Sequence, residues 1–290
     1  MRYTITHQTS YAYDAAVSVS HHLVRLTPRD LPRQRCLAHQ VEIAPTATHT
    51  VLRTDYFGNT SEFITVEGAH PHLVITARST VEVEPGVLPA PAETPPWETV
   101  RDMACGAAVT PGLEAVEFIF DSLFLQRRAM FADYAASSFT KARPILEAVL
   151  DFTHRIFHEF KFDPHATTVA TPVERVFQEK RGVCQDFAHL QIACLRSLGL
   201  PARYVSGYLE TLPPPGQPKL AGSDASHAWL AFFCPPYGWI DVDPTNNLLP
   251  SDRHITVAWG RDFHDVSPIR GVLVGSGKHT LKVAVDVLPG

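Results

Sequence analysis

Cysteine is scarce in this chain and poorly spaced for pairing. Five occur in 290 residues, at Cys36, Cys105, Cys184, Cys194 and Cys234, with no CxxC among them. An odd, scattered set of this kind argues against a disulfide framework and against a structural zinc site. Long hydrophobic runs are missing too, since none approaches the roughly 18 residues that a membrane span needs. The opening Met1-Arg2-Tyr3-Thr4-Ile5-Thr6 alternates like a strand and lacks the apolar stretch of a signal peptide. No run of five basic residues occurs, and the net charge of −5 with a pI near 6.3 gives no pull toward nucleic acid or an anionic membrane. Glycine-rich phosphate loops are absent, so no organic cofactor is implied. A reducing cytoplasm is the expected compartment. Internal repeats and low-complexity tracts are lacking as well.

What is present is ordinary for a globular protein, with 45% hydrophobic and 19% charged residues. The length suits one large domain or two modest ones. Residues 2–13, 18–26, 36–43, 50–54, 61–66 and 72–83 are rich in Thr, Val, Tyr and Ile and read as strands. Phe57-Gly58-Asn59-Thr60 is a hairpin signal between two of them. An antiparallel sheet or sandwich is expected over residues 1–88. Residues 85–97 hold five prolines, which neither sheet nor helix can absorb, and mark the boundary with a second domain over 98–290. The last strand of that domain is free to return to the first.

Beyond the boundary the pattern turns helical as far as about residue 180. In 144–160, Ile145, Val149, Phe152, Ile156 and Phe160 recur at spacings of three and four, with Pro144 in the first turn. Thr171-Pro172-Val173-Glu174 reads as a second start, with the threonine as N-cap. A third helix is expected over 184–198. Phe187, Leu190, Cys194 and Leu198 form its buried stripe, Gly199 supplies a left-handed terminus, and Pro201 blocks continuation. Strands follow at 202–209, 226–233, 238–243, 254–259 and 279–288, with a proline-rich loop at 213–218 joining the first two. His154, His158 and His189 are expected at surfaces or interfaces, and Arg203 as an anchor of the fold.

One cysteine stands apart. Arg181-Gly182-Val183-Cys184-Gln185-Asp186-Phe187 runs directly into a helix, so Cys184 sits at a helix N-terminus. There the backbone partial charge of about half a proton favours a thiolate. Gly182 leaves room for a substrate backbone near the sulfur. The Cys184 N–H, among the first four of its helix, is a candidate oxyanion donor. Asp186 lies about 200° round the helix from Cys184 and is read as compensating the dipole. His227 follows in Ala225-Ser226-His227-Ala228-Trp229, on a strand where His227, Trp229, Ala231 and Phe233 share a face. Trp239, Asp241 and Asp243 share a face of the next strand, and alternation does not choose between the two acids. Cysteine, histidine and aspartate together are what thiolate attack on a carbonyl requires: nucleophile, base and ring-orienting carboxylate.

These segments resemble the motifs of the transglutaminase-like superfamily: Gly182-Val183-Cys184, Ala225-Ser226-His227-Ala228-Trp229, and Trp239-Ile240-Asp241-Val242-Asp243-Pro244-Thr245. Gly199-Leu200-Pro201-Ala202-Arg203-Tyr204-Val205-Ser206-Gly207-Tyr208 is similar to the segment that follows the cysteine helix in that family. The N-terminal strands and the stretch 259–271 resemble its bacterial branch. The resemblance implies an α+β fold in which a papain-like core packs its cysteine helix on an antiparallel sheet, behind an N-terminal antiparallel β domain. It also implies Asp243, the acid before Pro-Thr, as the catalytic carboxylate beside Cys184 and His227. Gly182, Trp229 and Trp239 are the expected substrate-binding residues. No metal is expected, and no calcium-loop pattern like that of the animal crosslinking enzymes is present. The expected activity is thiol-dependent hydrolysis of an amide bond in a peptide or protein. Acyl transfer to an amine, or a non-catalytic interaction module, are the alternatives.

Overall fold

The computed structural model describes residues 1–105, 113–211, 226–275 and 277–290, apart from the side chains of Cys105 and Leu113. The expected loop at 213–218 lies outside them. Two antiparallel sheets and a layer of helices form the chain. The first sheet holds β1 (Arg2–Val24), β2 (Gln34–Ala44), β3 (His49–Thr54), β4 (Thr60–Val83), β11 (Ile269–Val274) and β12 (His279–Pro289). β1 and β4 lie at its centre, with β2 and β3 beside β4 and with β11 and β12 beside β1. The chain therefore ends on the sheet where it began.

β1 and β4 are each one long strand, although each reads as two in the sequence. The ladder between them shifts register between Ala12 and Val17 and again by Val19. The small and polar residues that resemble a turn are thus an irregularity inside a continuing ladder.

The second sheet has the order β10–β7–β8–β9, formed by β7 (Ala202–Leu209), β8 (Ser226–Cys234), β9 (Gly238–Val242) and β10 (His254–Gly260). Between the sheets in sequence come α1 (Trp97–Cys105), α2 (Leu113–Val116), α3 (Ala129–Ala135), α4 (Ile145–Glu159), α5 (Val173–Glu179) and α6 (Cys184–Ser197). A short α7 (Phe263–Val266) follows β10. A two-residue parallel pair, β5 (Lys161–Phe162) with β6 (Arg181–Gly182), holds the end of α4 against the start of α6. The helical region is more broken than its pattern suggests. α4 begins after Pro144, which takes the N-cap position. α5 begins after Pro172, and Thr171 Oγ1 accepts from the Thr168 N–H instead of capping the helix.

α6 is the centre of the molecule. Alternate residues of β8 (Ala228, Leu230, Phe232 and Cys234) join Phe187, Leu190, Ala193 and Cys194 in one core cluster, so one face of the second sheet receives the helix. The other side of α6 meets α3 and α5, and residues 186–196 are buried all round instead of along a single stripe. His189 is therefore inside the protein: its Nε2 accepts from the Phe263 N–H at 3.1 Å, and burial holds its pKa down at about 4.

At the far end, Arg196 donates to the carbonyls of Ala202, Phe120 and Arg261, tying α6 to β7 and its surroundings. Gly199 takes the left-handed φ of +83° that ends the helix. The same core includes Tyr3, Ile5, Val81, Val83, Val285 and Val287 from the first sheet. Polar ties reinforce that junction: His7 Nδ1 with Tyr208 Oη at 3.0 Å, Gln34 with both backbone groups of Thr256, and Arg33 with Asp241 at 2.8 Å.

Candidate active site

Cys184 opens α6 at its N1 position. The start is held from within: Asp186 Oδ2 accepts from the Val183 N–H at 2.8 Å and from Thr167 Oγ1 at 2.6 Å. This is the reciprocal half of a capping box, here without a polar N-cap side chain. Burial favours the neutral form of Asp186 and raises its pKa, while those two hydrogen bonds oppose the rise. The acid is thus a structural clamp turned back onto its own helix.

Gly182 makes the clamp possible. A Cβ there would lie 2.6 Å from Asp186 Oδ2 and 2.8 Å from its Cβ. The space that the missing side chain leaves is filled by Asp186, not by a substrate. Gly182→Ala is expected to cost about 1–3 kcal/mol, because Asp186 is pinned by two donors and cannot yield. Chemical denaturation measures this, and an unchanged midpoint would mean the clamp is dispensable.

His227 comes from the first residues of β8, opposite Gly207 on β7. A Cβ at Gly207 would lie 2.1 Å from the Ile255 carbonyl oxygen and 2.6 Å from the Trp229 ring, so only glycine lets β7, β8 and β10 close at this point. Asp243 follows β9 directly and is fully buried. Its Oδ1 accepts from the N–H groups of Thr245 and Asn246, at 2.9 and 3.2 Å. Its Oδ2 meets His227 Nε2 at 2.7 Å, Asn246 Nδ2 at 2.7 Å and His254 Nε2 at 3.1 Å. Five donors thus fix one carboxylate.

With Nε2 engaged by Asp243, Nδ1 is the His227 atom left for Cys184, and the ring hydrogen-bonds the thiol. Burial pushes the His227 pKa down, but hydrogen bonds to Asp243 and Cys184, with their charges, outweigh it and raise the pKa to about 10. Asp243 responds in the opposite sense. Burial favours its neutral form, yet the hydrogen bonds from His227, His254 and Asn246 hold it well below the usual carboxylate range.

The sulfur faces a cleft of ≈ 330 Å³ lined by Phe162, Cys184, Leu209, Thr211, Ser226, His227, Thr245 and Asn246. The Cys184 N–H has no intrahelical partner at this position and remains the candidate donor to a developing oxyanion. His227, Asp243 and His254 also bring three possible ligand atoms within 4.8 Å of one another, a spacing that could hold a metal ion. Asp243 Oδ2 already has three hydrogen-bond partners there.

The structure brings Cys184, His227 and Asp243 together and separates Asp241 from them. Asp241 instead pairs with Arg33. It also moves the three expected substrate-lining residues. Gly182 is covered by Asp186. Trp229 is fully buried behind His227 and His254, with ring centroids 6.0 and 5.2 Å away. Trp239 lies opposite Phe233, six residues along β8 from His227, and lines a different cleft with Arg203. Alternation identifies the face of a strand correctly but is silent on distance along it.

His254 and Asn246 are absent from the sequence-based reading. Asn246 follows directly after Asp243-Pro244-Thr245, where turn residues commonly fold back on a preceding acid. His254 is adjacent to the site only through the β10–β7 register.

Comparison with known proteins places the chain by family and by fold. Residues 3–82 match the model of the bacterial transglutaminase-like N-terminal region, and residues 132–244 that of the transglutaminase-like superfamily. An uncharacterised protein of Mycobacterium tuberculosis is 40% identical over 296 residues, spanning 99% of this chain and 93% of its own. A protein-glutamine gamma-glutamyltransferase of Pseudomonas aeruginosa is 31% identical over 126 residues, 43% of this chain and 19% of that one. The crystal structure of a candidate cysteine protease from Cytophaga hutchinsonii superposes with a TM-score of 0.75 at 21% identity, covering 100% of this chain and 91% of its own. That similarity is one of fold.

Proposed function

Since the chain belongs to the transglutaminase-like superfamily, we propose that it is a thiol enzyme that cleaves amide bonds in peptides or proteins, with Cys184, His227 and Asp243 as its catalytic residues. One observation carries the reading: a single imidazole joins a cleft-facing thiol at the start of α6 to a carboxylate held by five donors. His227, kept protonated by Asp243, forms an ion pair with the Cys184 thiolate. The sulfur attacks the carbonyl carbon, and the C–S bond forms as the carbonyl electrons move to oxygen, toward the Cys184 N–H. Collapse breaks the C–N bond, and the His227 Nδ1 proton leaves with the amine. Water then attacks the thioester and gives its proton back to His227. The acid departs and the ion pair is restored.

An amine in place of water would give acyl transfer, so the choice rests on which nucleophile reaches the thioester. Incubation with a peptide library, beside an amine-incorporation assay, decides it. New peptide termini are expected. Incorporation without cleavage would make the protein a transferase, and neither product would leave a non-catalytic module. The proposal assigns the protein to the cytoplasm, where a thiol stays reduced. Cys36, Cys184, Cys194 and Cys234 are all free.

The pH profile follows from the same pair. An ion pair that depends on the His227 proton persists until the imidazole deprotonates, so kcat/KM is expected to fall on the alkaline side near pH 10. Asp243→Asn removes the carboxylate charge and its charge-assisted hydrogen bond, the larger of the contributions that raise that pKa. The alkaline limb should then move down toward the ordinary imidazole value of about 6.5. A limb left in place by Asp243→Asn would show that the carboxylate does not hold the proton.

A further inference from the structure

The face of the second sheet that carries His227 continues past Trp229 to a second cleft. Residues directly opposite on antiparallel strands share a face. His227 stands opposite Gly207, Trp229 opposite Val205, and Ala231 between Arg203 and Asp241. Arg203 is therefore four residues down β7 from the His227 row, or ~13 Å.

Its guanidinium lies between two indoles, 3.8 Å from the Trp259 centroid and 4.3 Å from that of Trp239. Arg29 covers Trp259 as well, at 3.5 Å. Arg203, Trp239 and Trp259 line a cleft of ≈ 560 Å³ where the segments 31–33 and 84–87 approach the second sheet.

Aromatic stacking alone does not satisfy a guanidinium, which carries five N–H donors. Arg196 shows what a purely structural arginine does in this protein: it donates to three backbone carbonyls and the Ser122 hydroxyl. Among the described residues Arg203 has nothing comparable. Its Nε is sealed from solvent without a partner, and the acid on its own row, Asp241, is engaged by Arg33 at 2.8 Å. Glu84, also at the cleft, is exposed. Burial disfavours the charged form of Arg203 and Arg29 adds to this, while the charges of Asp241 and Glu114 only partly offset it. A half-buried cation with a sealed, unpartnered Nε, flanked by indoles and opening on a cavity, matches an anion that carries an apolar body.

We propose that this cleft binds a carboxylate attached to an apolar or aromatic group, the chemistry shared by a free peptide C-terminus and a small aromatic acid. Arg203 takes the carboxylate through its Nη atoms, while Trp239, Trp259, Tyr237 and Val87 receive the body. The site does not depend on the thiol chemistry at Cys184.

Tryptophan fluorescence of the full-length Cys184→Ala protein tests this, titrated with N-acetyl-L-phenylalanine and with its amide. The acid should give a saturable change, and the amide should bind at least tenfold more weakly. Ala-Ala-Phe with a free or an amidated C-terminus tells the sources apart. Discrimination by the tripeptide as well supports a peptide end, and discrimination by the small acid alone supports a small-molecule ligand. Arg203→Gln should weaken the acid at least tenfold. Arg203→Lys keeps the cation in the stack but loses the fork, and should weaken it severalfold even if Arg203→Gln fails to fold. Equal affinity for acid and amide, an unchanged Arg203→Lys, or equally tight binding of acetate or inorganic phosphate would overturn the proposal and leave Arg203 as a structural stack.

Discussion

Cys184→Ala is expected to abolish turnover of any peptide that the wild-type chain cleaves. Removal of the nucleophile in comparable triads costs on the order of 10⁶ in kcat, leaving only what binding and oxyanion donors supply. The change is small in structural terms. Cys184 is partly exposed at the first position of α6, whose start is held by Asp186 and whose far end is held by Arg196. The variant should therefore keep wild-type thermal stability, and this separates loss of chemistry from loss of fold. Cleavage that continues in a folded Cys184→Ala protein would remove the thiol from the mechanism.

The second large effect is expected at His227. His227→Ala deprives the thiol of its partner and Asp243 of one of its two closest donors, and should lower kcat/KM by roughly 10³-fold or more. Two consequences distinguish a catalytic from a packing role. The alkaline limb near pH 10 should disappear, and added imidazole should restore part of the rate by occupying the vacated space. A variant with unchanged rate, or with a fall fully explained by instability, would leave His227 outside the chemistry. Asp243 also loses a stabilising neighbour in this variant. Its depressed pKa stabilises the fold above the ordinary aspartate value and loses that contribution as pH falls through the folded value. His227→Ala should therefore weaken the fold most at neutral pH, with less difference in strong acid.

The nucleophile and its histidine could be read from the chain because each lies in a short local context that constrains it. Gly182-Val183-Cys184 runs into an apolar helix, and His227 begins an alternating strand. The acid could not be read in this way, because Asp241 and Asp243 share a face. The difference is set by a long-range partner: Arg33 takes Asp241, while His227 and His254 take Asp243.

The same limit explains the misplaced tryptophans. Period-two alternation put Trp229 and Trp239 on the His227 face, but position along the strand decides that one lies behind the imidazole and the other in a separate cleft. In the first sheet, irregularities within β1 and β4 look locally like turns, since a register shift and a chain reversal use the same small and polar residues. Neither His254 nor the Arg203 cleft can be seen before the strands are paired.

Alkylation of the cysteines at pH 6 is the most direct test of an activated thiol at this site. Burial pushes Cys194 and Cys234 up, Cys234 to about 12, and Cys36 is raised as well. Iodoacetamide should therefore label Cys184 ahead of these three and faster than a free cysteine model, with the advantage lost in His227→Ala. Labelling of Cys184 no faster than the model thiol, or at the same rate in both proteins, would contradict the ion pair on which the catalytic account stands.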